Sequence, residues 1–369
     1  MSFSLILTNS MFCSLASLLI LPLLKRPEIL YFKKGIPIWT ITLLIIGKML
    51  IPFEFPFTYT LASKNILPTI NMIGSIDLIK SIRVGGILVY IWISISALLF
   101  IFIIIKDFKL IHLLSMIPDT DNKEILYKLL NICNQKQIKH KPKVIQLDIN
   151  NGPFVAGLCN LTIVLPTKLT ENETNFILLH ELEHCKQHHN LIKAFTELVT
   201  IIYWWNPIVW LLHRAIIRAL ETHADANVLR NLNLKSSLCY LETLLNVSKR
   251  MYKNESTNLV LPFSLKDNMI EYRINMALKY KYTNKEKRIS FYYLIPLVIS
   301  LCFLIISFSF TFESYNVSAR KISGTFTIQP DNDYFVLRQD KLYDLYLNGK
   351  YVATITSIPE DLRNINIHK

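Results

Sequence analysis

The 369-residue chain has no glycine-rich phosphate loop, no internal repeat and no nucleic-acid-binding motif, so nothing in it marks a nucleotide-dependent enzyme. Cysteine is scarce. Cys13 and Cys302 fall in apolar stretches, and Cys133, Cys159, Cys185 and Cys239 fall in a long middle segment. None lies in a stretch assigned below to the outside, so no disulfide framework is implied and a reducing compartment is expected for the middle segment. Also missing are a basic n-region ahead of the first apolar stretch and a small-residue cleavage site after it, so residues 4–24 are expected to stay as a span.

What the chain does have is apolar bulk: 51% hydrophobic residues and a mean hydropathy of +0.33. That exceeds what a soluble domain needs and points to a membrane protein. The net charge of +13 could mark a nucleic-acid surface, but the lysines and arginines flank the apolar runs, so direct nucleic-acid binding is not expected.

A hydrocarbon core of roughly 30 Å needs about 20 apolar helical residues. Stretches 4–24, 37–53, 86–105 and 290–312 meet or approach that. Lys25, Arg26, Lys33 and Lys34 follow the first, which puts that loop in the cytoplasm and the N-terminus outside; Lys279, Lys281, Lys285, Lys287 and Arg288 crowd the start of the fourth. The expected organisation is a membrane region 1–105 with three spans, a cytoplasmic domain 106–289, a fourth span 290–312 and an extracytoplasmic tail 313–369. A fifth apolar stretch, 198–217, is interrupted by Asn206-Pro207 and carries Trp204, Trp205 and Trp210. It is read as a helical hairpin embedded at or near the inner membrane face.

In the middle segment, 121–135 has helical spacing with Asp119 or Asp121 as N-cap, while 141–149 and 153–166 read as a hairpin turning at Asn150-Asn151-Gly152. Thr170 and Glu173 form a capping-box pattern opening a helix through "FILLHELEHCKQHHN".

On that helix His180 and His184 share a face and can present two imidazole nitrogens to one zinc ion, with Glu181 placed to act as general base on a water. A third ligand decides whether this is a catalytic site. Gln187 and Asn190 stand where a metzincin needs glycine and histidine, which excludes that class. Position i+8 on a regular helix is about 12 Å from i, so His188 and His189 are read as solvated or lipid-facing. Downstream, "RAIIRALETHADANVLRNL" supplies Glu221 as third ligand and, one turn later, Asp225 to receive the second ring N–H of a ligating histidine; the alternative is a polar surface face. His223 points elsewhere, and Glu183 is read as a surface acid.

The segments "GPFVAGLCNLTIVLPTKL", "LLHELEHCKQHHNL" and "WWNPIVWLLHRAIIRALETHADANVL" resemble, in order and spacing, the membrane zinc peptidases of the M56 type, the group of the β-lactam sensor-transducers. The resemblance covers roughly residues 1–312. It implies an α-helical integral membrane protein with about four transmembrane helices, a cytoplasmic α+β gluzincin domain and, here, a short C-terminal β-rich tail. It further implies zinc on His180, His184 and Glu221, Glu181 as base, self-cleavage within 250–274 and inactivation of a cytoplasmic repressor.

Two departures stand out. Ala224 gives the "E-x-x-A-D" pattern of the related M48 membrane peptidases, and only 313–369 follow the fourth span where the sensors carry a penicillin-binding domain. In that tail, Asn348-Gly349 marks a hairpin, and Ser318 with Lys321 spells S-x-x-K without the partner motifs of a penicillin-recognising site. The function expected is therefore regulated proteolysis by a multi-pass zinc metalloendopeptidase with a protein substrate and lipid around it. A membrane quality-control peptidase and a non-catalytic receptor with a structural metal site are the alternatives, and a homodimer is left open.

Overall fold

The computed structural model describes residues 3–25, 36–51, 58–63, 69, 77–79, 82–149, 152–254, 265–282, 291–314, 334–337, 343–347, 350–355 and 366–368. The chain divides into two units, Met1–Ser314 and Tyr315–Lys369. The turns at Asn150-Asn151 and Asn348-Gly349, the basic residues 26–34 and 285–288, the Ser318–Lys321 pair and residues 255–264 lie outside the described residues.

The first unit opens with α1 (Phe3–Leu24) and α2 (Ile36–Leu50). The strand β1 (Tyr59–Ser63) and a short pair, β2 (Asp77–Ile79) with β3 (Ile82–Arg83), lead into the long helix α3 (Val84–Met116). Near the other end, α10 (Phe291–Ser309) runs into β7 (Phe310–Ser314), which pairs parallel with β1. By length and composition Ile6–Leu24 and Val84–Met116 can cross a membrane; Ile38–Leu50 and Leu294–Ser309 are apolar but shorter. Along α3 the apolar side chains are largely exposed, Leu98 by 68% and Phe102 by 67%, a surface that needs an apolar surround.

Helix α1 buries Thr8, Asn9, Ser10, Ser14 and Ser17, and each has a hydrogen-bond partner, as buried polar groups require. Asn9 Nδ2 donates to Lys48 O at 3.0 Å, Ser307 Oγ donates to Asn9 Oδ1 at 3.0 Å, and Ser300 Oγ donates to Ala16 O at 3.1 Å. These bonds tie α1 to both α2 and α10.

The apolar stretch around 198–217 forms two helices, α6 (His189–Ile202) and α7 (Pro207–Arg230), meeting at Tyr203–Asn206. Asn206 caps α7 by accepting from the Ile208 N–H, and Pro207 sits where its missing donor costs nothing. The tip is held among the neighbouring helices. Asn206 Nδ2 donates to Ser10 and Ser14 of α1 at 3.2 and 2.8 Å, Tyr203 Oη donates to Met49 O at 3.0 Å, and Trp92 Nε1 donates to Ile202 O at 2.7 Å. The reason is polar satisfaction: the break leaves the Ile201 and Ile202 carbonyls to accept from Ser96 and Trp92, while the serines of α1 and the carbonyl of Met49 pair with the Asn206 and Tyr203 side chains.

Between α3 and this hairpin lies a compact α+β segment. Helix α4 (Lys123–Lys136) is capped by Asn122 rather than by either aspartate, since the Asn122 carboxamide accepts from the Glu124 and Ile125 N–H groups. The sheet contains β4 (Lys143–Leu147), β5 (Phe154–Ala156) and β6 (Thr162–Pro166) in the order β4-β6-β5. The hairpin is therefore β5–β6, antiparallel, while β4 joins β6 in parallel. Two features explain the difference from the expected β4–β5 hairpin. Gly157 has φ +90°, and a Cβ there would sit 2.2 Å from Asn160 O, so the chain reverses at that glycine. The middle of β6, with Ile163, Val164 and Leu165 all apolar and buried, fits a central strand.

Helix α5 (Glu171–Lys186) packs on α4 and the sheet through Ile177, Leu178, Leu182 and Cys185. Helices α8 (Leu234–Asn254) and α9 (Leu265–Tyr282) complete the unit, α9 against α7. All six cysteines are free thiols. In the second unit, β8 (Tyr334–Leu337), β9 (Tyr343–Leu347), β10 (Lys350–Ile355) and β11 (Asn366–His368) form one sheet in the order β10-β9-β8-β11.

Candidate metal centre

Helix α5 begins at a complete capping box: Thr170 Oγ1 accepts from the Glu173 N–H at 3.4 Å, and Glu173 Oε2 accepts from the Thr170 N–H at 2.9 Å. Its last two turns carry His180, Glu181 and His184, all buried. Helix α7 brings Glu221 to the same point. His180 Nε2 and His184 Nε2 are 3.1 Å apart, His180 Nε2 and Glu221 Oε2 are 3.5 Å apart, and His184 Nε2 and Glu221 Oε1 are 3.6 Å apart. Tetrahedral donors about 2.0–2.1 Å from zinc stand about 3.4 Å from one another. Each Glu221 oxygen faces one of the two imidazoles, and among the described residues one ligand atom from each of the three lies within 4.8 Å of the others, so that these three could hold a metal ion.

Behind the triad each ring is oriented from its far side. His180 Nδ1 lies 3.2 Å from Asp225 Oδ1 and 2.9 Å from Tyr240 Oη, and Tyr240 donates to Asp225 at 2.6 Å. Burial opposes a charged imidazolium at His180, and so does Arg273, but Asp225 and Glu221 outweigh both and raise its pKa to about 9. Burial works against ionised Glu221 as well; the neighbouring His184 and His180 overcome it and hold the carboxyl well below the usual range. Asp225 is likewise held low, despite burial, by Arg273.

His184 leans on a second pair of histidines. Its Nδ1 is 2.9 Å from His189 Nδ1, and His189 Nε2 is 3.3 Å from His223 Nδ1. With His184 Nε2 turned to a metal, its Nδ1–H donates to His189 Nδ1, which leaves the His189 Nε2–H to donate to His223. Burial, then His184 and His223, push His189 down to about 2, so it stays neutral.

His189 is therefore neither solvated nor lipid-facing. It is 1% exposed, whereas His188 is exposed. The straight-helix argument fails because α5 ends at Lys186 and His188 takes φ 51°, which turns the chain and swings His189 back behind His184. Glu183 is not a surface acid either: it is 4% exposed and paired with Lys136 from α4. The partner comes from a helix whose packing the local sequence does not reveal.

Three contributors went unseen in the sequence. Tyr240 comes from α8. Lys193, one turn into α6, places Nζ 3.3 Å from Glu221 Oε1. Arg273, from α9, forks onto Asp225 through Nε and Nη2 at 2.8 and 2.7 Å, and its Nη1 is 3.5 Å from Glu221 Oε2. No spacing rule links these positions to the histidines, so no motif could have found them.

The group opens onto a cleft of about 210 Å³ with an apolar wall that includes Ile177, Leu244 and Val247. Phe154 and Val155 of the edge strand β5 line it, and Asn190 Nδ2 fixes that strand by donating to Val155 O and Gly157 O at 3.1 and 2.9 Å.

A family model described as BlaR1 peptidase M56 matches residues 9–277. Among curated relatives, the Regulatory protein BlaR1 of Bacillus licheniformis is 28% identical over 212 residues, which is 56% of this chain and 35% of the relative. The Methicillin resistance mecR1 protein of Staphylococcus aureus is 26% identical over 237 residues, 57% of this chain and 40% of the relative. The chain thus spans two-fifths or less of the length of these relatives.

Proposed function

Because the chain belongs to the M56 peptidase family, we propose that it is a membrane-embedded zinc metalloendopeptidase, with His180, His184 and Glu221 as ligands, Glu181 as general base and Asp225 orienting His180. The observation that carries this reading is the convergence of three potential metal donors from two helices, within 4.8 Å of one another, beside a buried Glu181 that lines a cleft. The ion would polarise the scissile carbonyl and acidify a water. An extended substrate segment would lie along β5 with a side chain against Ile177, Leu244 and Val247. Glu181 would take the proton of the attacking water on its carboxylate and pass it to the leaving nitrogen, while the apolar wall keeps other water away.

We place four spans near 4–24, 37–53, 86–105 and 290–312, with both termini outside and the peptidase domain cytoplasmic; the apolar helices and flanking lysines and arginines support this. The substrates proposed are a cytoplasmic transcriptional regulator and the chain itself within 250–274, in keeping with the relatives' description as regulatory proteins.

The test is Glu181→Gln in the intact membrane protein. Cleavage should stop while stoichiometric zinc is retained. Comparison of cleavage products between this variant and wild type should show one regulator spared; a broad set of spared membrane proteins would instead favour quality control, and unchanged signalling would favour a receptor.

A further inference from the structure

We infer that Arg273 is a positioning residue of the metal centre, through which helix α9 holds Asp225, and with it His180, in register with Glu221. The inference rests on the metallopeptidase reading above and adds helix α9 to it.

Glu221 and Asp225 stand one turn apart on α7, both carboxylates turned inward; Asp225 is fully buried. Two such anions repel each other, and a buried carboxylate without a partner is costly. The Arg273 guanidinium answers both at once, forking onto the two oxygens of Asp225 while Nη1 faces Glu221. With Oδ1 also accepting from Tyr240, Asp225 has no freedom to rotate away from His180 Nδ1. A planar fork with fixed donor directions does this and a single ammonium does not. Arg273 Nη2 also lies 3.5 Å from His180 Nδ1 and 3.2 Å from its Nε2, so the guanidinium is packed directly beside the ring it helps to hold.

The helix has a second tie to the bundle: Tyr272, beside Arg273, donates its hydroxyl to Lys25 O at 3.1 Å. Docking of α9 and the geometry of the ligands are thereby joined in neighbouring residues, yet they are separable by mutation. Removing the tyrosine hydroxyl loosens docking, at Lys25 O and at the Thr222 side chain of α7, and leaves the hydrogen bonds of the ligands themselves in place. Removing the guanidinium frees Asp225.

The experiment is zinc affinity of the detergent-solubilised full chain, by competition with a chromophoric chelator, together with the visible spectrum of the cobalt-substituted protein. Arg273→Gln should weaken zinc binding about 10- to 100-fold, the usual effect of losing support behind a ligand, and shift the cobalt bands. Arg273→Lys keeps the buried charge but not the fork, and should fall between wild type and Arg273→Gln; it carries the test if the glutamine variant does not fold. Tyr272→Phe should stay within about twofold of wild type. Unchanged or tighter zinc binding in Arg273→Gln overturns the inference, as does an equal loss in Tyr272→Phe, which would assign the effect to docking alone. Wild-type protein that holds no stoichiometric metal is a different failure, since it removes the peptidase reading itself.

Discussion

Replacing Asp225 by Asn should change how zinc binding depends on pH as well as how tight it is. In the metal-free protein, burial opposes the charged form of His180, but Asp225 and Glu221 hold its proton up to about pH 9. A ligating imidazole must be neutral, so zinc has to displace that proton. One proton lost per ion makes apparent affinity rise about tenfold per pH unit until about pH 9, so that pH 7 lies roughly 100-fold, or about 2.7 kcal/mol, below the plateau. The sign for stability runs the other way without metal. A pKa raised above its unfolded value near 6.5 contributes stability that is complete below about pH 6.5 and lost as pH climbs through 9, a span worth about 3 kcal/mol. Zinc-dependent stabilisation should therefore widen between pH 6.5 and 9. Titration calorimetry in buffers of different ionisation enthalpy counts the protons released at pH 8. Wild type should release close to one more proton than Asp225→Asn, and the variant should lose its pH slope above about pH 7 while binding about 10- to 100-fold more weakly at pH 9. Equal proton release by the two proteins, with parallel affinity curves from pH 7 to 9, would refute the coupling of Asp225 to His180.

Two further outcomes follow from the neighbouring contacts. His189→Ala removes the group that receives the second ring nitrogen of His184, and zinc affinity should drop about tenfold or more in the chelator competition, whereas His188→Ala, at an exposed position, should leave it unchanged. Gly157→Ala must bear both a positive φ and a Cβ 2.2 Å from Asn160 O, so the β5–β6 turn should be destabilised by at least about 1–3 kcal/mol in denaturant unfolding, with peptide cleavage falling because β5 borders the cleft.

Periodicity and capping are local, and what depended on them was legible. Thr170 and Glu173 announced the start of α5, and the four-residue spacing of His180 and His184 put both rings on one face of it. Asn206-Pro207 announced a break between two helices. The β4–β6 pairing was not legible, because short strands such as β4 and β6 carry no label for their neighbour, and a glycine with φ +90° looks in sequence like any other. Nor was the burial of Glu183, whose compensating Lys136 comes from a separate helix.

Sequence alone determined the chemical kind of each side chain on α5 and α7 and the faces they share along each helix, since those follow from 3.6 residues per turn. Tertiary structure decided which of them meet. The separations of 3.5 and 3.6 Å between Glu221 and the two imidazoles depend on α7 folding back along α6 into the bundle. The same holds for Arg273 and Tyr240, which arrive from helices remote in the chain. Local spacing orders groups along one helix; only packing between helices, driven by burial and by the need to partner every buried charge, sets distances across the site.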